Sequence, residues 1–146
     1  MKKVGTHLIA DAWSAPAAIL NDPERIRQAL IEAIAAGDAT LIDLCVHQFS
    51  PHGVTATATL AESHIAIHTW PEYGYFAADL FFCGLGKPQK AMKLLQTALE
   101  AKEVELREIE RGFPASIINN QLSMMPNGNG KPNNDVFDKG KPYSYQ

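Results

Sequence analysis

The groups able to do chemistry crowd into one stretch of the chain. Between positions 62 and 83 stand the carboxylates Glu62, Glu72 and Asp79, the hydroxyl of Ser63, the imidazoles His64 and His68, and the thiol Cys83. A serine hydrolase would need a base that an acid orients, and Ser63 lacks the Gly-x-Ser-x-Gly elbow that would expose it. His64 and His68 share a face of a strand, but about 13 Å of strand rise separates them, too far for one metal. No Cys-x-x-Cys pair adds ligands, so no metal is expected. Cys83 as a nucleophile would need a nearby base; its plain alternative is a buried core thiol. Gly84-Leu85-Gly86-Lys87 departs from the phosphate-loop pattern. The plain reading of the whole stretch is a half-exposed strand face whose histidines satisfy local hydrogen bonds.

The elements around these residues set what can meet. Residues 4–10 are apolar and partly β-branched, a strand pattern. Asn21-Asp22-Pro23 then offers a capping side chain followed by proline, a helix start. Ile26, Leu30, Ile31 and Ile34 recur at helical spacing, and Gly37 is expected to end that helix. Four strand patterns follow, at 40–49, 54–60, 64–70 and 75–83. The first is largely apolar and is expected to be buried; the second has one small, hydroxylated face. A second helix is expected over 88–101, with Ala91, Leu94, Leu95 and Ala98 as its apolar stripe, and a half-exposed final strand over 103–109. The order β-α-β-β-β-β-α-β with short turns predicts an α+β fold: a two-layer sandwich, its mainly antiparallel sheet carrying the helices on one face.

Composition bounds the function. The chain has 146 residues, 46% hydrophobic and 20% charged, with a net charge of -3. The acidic balance argues against nucleic acid as a partner. No apolar run reaches the ~18–20 residues of a membrane span. A basic start without a long apolar stretch disfavours a signal peptide, and 2 Cys disfavour a disulfide scaffold, so a cytoplasmic protein is expected. From residue 113 Pro, Gly and Asn dominate without periodicity. The expected organisation is a domain over 1–112 and an extended tail over 113–146.

The string Glu62-Ser63-His64-Ile65-Ala66-Ile67-His68-Thr69-Trp70-Pro71-Glu72 resembles the self-processing segment of the small prokaryotic S-adenosylmethionine decarboxylases. The flanks His47-Gln48-Phe49-Ser50-Pro51-His52-Gly53-Val54-Thr55 and Asp79-Leu80-Phe81-Phe82-Cys83-Gly84 resemble the same family. The likeness spans about residues 1–112.

The resemblance implies a proenzyme that cleaves itself between Glu62 and Ser63, giving a β chain of residues 1–62 and an α chain of 63–146. Ser63 Oγ would attack the Glu62 carbonyl and replace the amide by an ester. Loss of the Ser63 α-proton would then expel the Glu62 carboxylate, and hydrolysis would leave a pyruvoyl group. That group would form a Schiff base with the substrate amine and accept electrons as CO2 leaves, the part pyridoxal phosphate plays elsewhere; no pyridoxal phosphate is implied. His68 matches the processing base and Cys83 the proton donor. Thr55 matches a hydroxyl position that supports processing. Phe49 and Glu72 match substrate-binding positions; Phe49 has a core residue as its alternative. Cys45 matches nothing in the motif and is expected in the core. The implied reaction converts S-adenosylmethionine to its decarboxylated form for spermidine synthesis. The rival substrates are L-arginine and L-ornithine, and a processing-dead partner subunit is opposed by the presence of Glu62, Ser63, His68 and Cys83.

Ser63 and His68 are five apart, so an unbroken strand puts them on opposite faces. Either the strand breaks after Ser63, or His68 serves the Ser63 of a second protomer. The small family members are homodimers with shared sites, which implies an α2β2 assembly. The expectation is Ser63 and Cys83 from one protomer and Thr55 and His68 from its mate.

Overall fold

The computed structural model describes residues 3–113. The expected tail at 113–146 lies, but for its first residue, outside them. The chain runs β1 (Gly5–Trp13), α1 (Ala17–Leu20), α2 (Pro23–Ala36), β2 (Leu41–Gln48), β3 (Val54–Leu60), β4 (Ser63–Trp70), β5 (Tyr75–Cys83), α3 (Pro88–Ala98) and β6 (Glu103–Arg111). A single 3-10 turn, Pro71–Tyr73, joins β4 to β5. The strands form one sheet in the order β2-β3-β4-β5-β1-β6, every neighbouring pair antiparallel. The expected order holds with one addition: α1, four residues long, is too short to show a helical period.

Alternation along the strands builds the layers. Val54, Ala56, Ala58 and Leu60 of β3, Ile65 and Ile67 of β4, and Phe76, Ala78, Leu80 and Phe82 of β5 are buried. They pack with Ile26, Leu30 and Ala33 of α2 and Ala91, Met92 and Leu95 of α3 in one core, so the helices cover one face and the fold is the expected α+β two-layer sandwich. Burial of a side chain the size of Ile67 or Leu80 contributes about 1.5–3 kcal/mol. Thr69 is buried and satisfied: its hydroxyl accepts from the Val54 amide at 2.9 Å and donates to the Leu20 carbonyl at 2.7 Å, tying β3, β4 and α1 together.

Asp22 caps α2, accepting from the Glu24 and Arg25 amides at 3.0 and 3.4 Å, with Pro23 as its first residue. Gly37 follows the helix as expected but not for its conformational freedom. Its φ is -82°, and Asp38 takes the positive value, 52°. Space favours the glycine: a Cβ there would stand 3.1 Å from both the Ala91 Cβ and the Phe82 ring, so a neighbour would have to give by a few tenths of an ångström.

Three expectations fail at the sheet edges. Residues 41–48 form an edge strand that is mostly exposed, not buried, and Cys45 is exposed rather than core. Only Leu44 and Val46 of that strand pack on the core. Cys45 stands opposite Thr57, on the face the helices leave open. β6, the other edge, is exposed along nearly its whole length instead of half-exposed.

Candidate active site

The Glu62–Ser63 bond lies where a tight hairpin enters its second strand. Leu60 pairs with Ser63 across the turn Ala61–Glu62. Hairpin loops need positive φ values to match the twist of their strands, and glycine usually supplies them. Here Ser63 carries that burden, with φ 132°. Such a conformation costs an L-residue about 1–3 kcal/mol. Both ends of Glu62 are pinned. Its carbonyl accepts from the Cys83 amide at 2.7 Å, and its carboxylate accepts from the Thr40 amide at 2.9 Å. The bond expected to break is therefore strained on one side and polarised on the other. Cys83, a free and half-buried thiol, ends β5 next to it.

A second group gathers toward the far end of β4. Thr55 and His68 are register partners on the open face, and Thr55 Oγ1 lies 3.0 Å from His68 Nδ1. Glu72 follows in the 3-10 turn and pairs with His52 Nε2 at 2.9 Å. Phe49 is 50% exposed, edge-on to the His47 ring, so its core alternative is excluded. Trp13, Tyr75 and Trp70 stack in a row, with centroids 4.3 and 5.2 Å apart. The Tyr75 hydroxyl donates to Asp11. Burial, then this bond and the charge of Asp11, push Tyr75 up to about 12.

Within one chain these two groups stay apart. β4 pairs with β5 from Ser63 to Trp70 and with β3 from Ser63 to His68 without a register shift, so the strand does not break after Ser63. Five residues of strand place Ser63 and His68 about 16 Å apart at the usual rise. Their register partners also differ in face: Leu60 and Phe82, beside Ser63, are buried in the core, whereas Thr55, beside His68, stands on the open face. A surface concavity lined by Ser14, Lys93, Gln96, Thr97 and Lys102 contains none of these residues.

What spacing missed is the meeting of His7 and His64 on Asp79. Asp79 Oδ1 lies 2.7 Å from His64 Nε2 and 3.0 Å from His7 Nε2. Burial pushes the Asp79 carboxyl up, but the hydrogen bonds from His64 and His7 outweigh it and hold the group below its ordinary value. The three ligand atoms lie within 4.8 Å of one another, a spacing a metal could use. Arg111 NH1 approaches His7 Nδ1 at 3.3 Å, and a guanidinium can only donate. With His7 Nδ1 as the acceptor from Arg111, Nε2 is the nitrogen that donates to Asp79. The signal was invisible locally because β1 and β5 bring His7 and Asp79 together across 72 residues.

The sequence model of the S-adenosylmethionine decarboxylase family matches residues 6–112. A protein of Methanococcus maripaludis strain S2 named S-adenosylmethionine decarboxylase proenzyme is 43% identical over 114 residues, 77% of this chain and 93% of its own. A protein of the same name from Thermotoga maritima is 42% identical over 113 residues, 77% of this chain and 87% of its own. The crystal structure of the adenosylmethionine decarboxylase from Aquifex aeolicus superposes with a TM-score of 0.74 at 37% identity, covering 78% of this chain and 95% of that one.

Proposed function

The chain belongs to the S-adenosylmethionine decarboxylase family, and from that premise we infer that it is a lyase that decarboxylates S-adenosylmethionine for polyamine synthesis, after cutting itself between Glu62 and Ser63. The relatives' names favour this substrate over arginine or ornithine. The observation that carries the self-cleavage is the local geometry: positive φ at Ser63 beside a Glu62 carbonyl held by the Cys83 amide.

Ser63 Oγ attacks the Glu62 carbonyl carbon, the C–N bond breaks, and residue 63 keeps a free amine joined through an ester. The Cys83 N–H stabilises the oxyanion formed during attack. Removal of the Ser63 α-proton then breaks the Cβ–O bond, and the Glu62 carboxylate leaves as the end of the β chain. Water converts the remaining enamine, through its imine, to a ketone and ammonia. The pyruvoyl group so formed supplies a carbonyl that can condense with an amine and take up the electron pair freed as CO2 departs. His68 is the α-proton acceptor, and Thr55 orients its ring through Nδ1. Cys83 returns a proton to the substrate carbon. Phe49 and Glu72 bind the nucleoside, by stacking and by accepting from ribose hydroxyls.

This division of labour calls for two protomers. The distance between Ser63 and His68 within one chain supports a homodimer in which the site joins Glu62, Ser63 and Cys83 of one protomer to Thr55 and His68 of the other. The open sheet face, with Ile9, Trp13, Trp70 and Ile109 exposed, is the surface a second copy covers. A cytoplasmic setting fits a proton donor that must remain a free thiol. Among the described residues no helix is long and apolar enough to cross a membrane. The test is CO2 release by the purified protein. Release from S-adenosylmethionine is expected; release from arginine or ornithine alone would overturn the substrate assignment.

A further inference from the structure

We propose that Asp79 is a positioning residue for decarboxylation: through His64 it holds the chain end created at residue 63 in register beside Cys83. The inference rests on the self-cleavage reading above. Before the cut, the hairpin fixes residue 63 from both sides. Afterwards β4 begins at a free end, and chain ends fray unless something ties them down. His64 is the first residue behind the reacting position, and its side chain is tied, 2.7 Å from Asp79 Oδ1.

The partner strand makes the tie specific. Asp79 belongs to β5, which also carries Cys83, and the two alternate onto the same face. One side-chain bond therefore couples the new end of β4 to the strand that bears the proton donor. His7 of β1 steadies the carboxylate from the other side at 3.0 Å. With His7 Nδ1 accepting from Arg111, Nε2 is the nitrogen that donates to Asp79. Phe81 packs against both imidazoles, at 5.3 Å from His7 and 6.0 Å from His64, and the Arg111 guanidinium lies 4.7 Å over its ring.

The expected signature is kinetic rather than structural. Asp79 and His64 stand on the open sheet face, with side chains 35% and 43% accessible in the single chain and covered in the proposed dimer, so the native mass of each variant is read beside kcat to separate positioning from assembly. Misplacing a reacting group by an ångström costs about 100-fold in rate.

The test uses the full chain, with Asp79→Ala and Asp79→Asn beside the wild type, reading intact mass, kcat and KM. Both variants are expected to cleave. Asp79→Ala loses about tenfold or more in kcat, with KM within about twofold. Asp79→Asn keeps an acceptor oxygen for both imidazole N–H groups and recovers most of the loss, a rescue that general destabilisation does not produce. Should Asp79→Ala fail to fold, His64→Phe, which removes the other end of the tie, decides. A cut His64→Phe chain with about tenfold or more lower kcat supports the tie, and one with full kcat overturns it. Wild-type protein that stays uncut overturns the self-cleavage reading itself. Wild type that is cut, with full kcat in Asp79→Ala, overturns the positioning role alone.

Discussion

The backbone amide of Cys83 donates to the carbonyl of Glu62 at 2.7 Å, across the gap between the end of β5 and the turn before β4. The residue proposed to give the substrate its proton thus also grips, by its main chain, the carbonyl that Ser63 must attack. Processing draws on the amide and turnover on the thiol, so side-chain substitution separates the two.

Cys83→Ala keeps the amide. It is expected to cleave before residue 63 and then to decarboxylate about 100-fold or more slowly, the usual contribution of a positioned general acid. Intact mass and kcat on the same preparation check this. A Cys83→Ala chain that cleaves and turns over at the wild-type rate removes the thiol from the mechanism.

The positive φ of Ser63 predicts a stability difference between two variants that cannot cleave. Ser63→Ala retains the strain, whereas Ser63→Gly relieves it at some cost in unfolded-state entropy. The net expectation is that Ser63→Gly is more stable by about 0.5–1 kcal/mol. Denaturant midpoints of the two measure it directly; a less stable glycine variant would mean Ser63 is unstrained.

The separation of Ser63 from His68 along an unbroken β4 predicts complementation. Neither Ser63→Ala nor His68→Ala chains cleave alone. Co-expressed, mixed dimers are expected to hold one intact site, and the His68→Ala chain should be cut. Complete absence of cut chain in mixed dimers would place both residues in one protomer.

Tyr75 gives a pH prediction away from the reacting groups. Its phenol is pushed up to about 12, so the fold favours the protonated form. The associated stabilisation is fully present below the ordinary tyrosine value near 10 and is lost as pH rises through about 12. Tyrosinate absorbance should show a late phase there that Tyr75→Phe removes. Loss of no phase in that variant would contradict the upward push of burial and Asp11 on Tyr75.

Much of this is legible in the sequence. The alternation of Thr55, Thr57 and Thr59 with Val54, Ala56 and Ala58 marked the two faces of β3, and the sheet keeps that division. Asp22 and Pro23 marked the start of α2. The motif at 62–72 placed the candidate chemistry on one hairpin. Sequence failed at β2 because an apolar edge strand reads like a buried one until its neighbours are known. Cys45 was misjudged for the same reason. The cluster of His7, His64 and Asp79 was hidden because register between β1, β4 and β5 decides it, and local spacing carries no register. The positive φ of Ser63 was equally hidden, since a serine there gives no sign of a site usually left to glycine.

The central claim is that this chain makes its own reactive carbonyl from Ser63. Intact mass of the purified wild-type protein tests it most directly. Two fragments are expected, one ending at Glu62 and one beginning at residue 63 with a mass matching a pyruvoyl terminus and not serine. A single chain that retains Ser63, or a second fragment that still begins with serine, would contradict it.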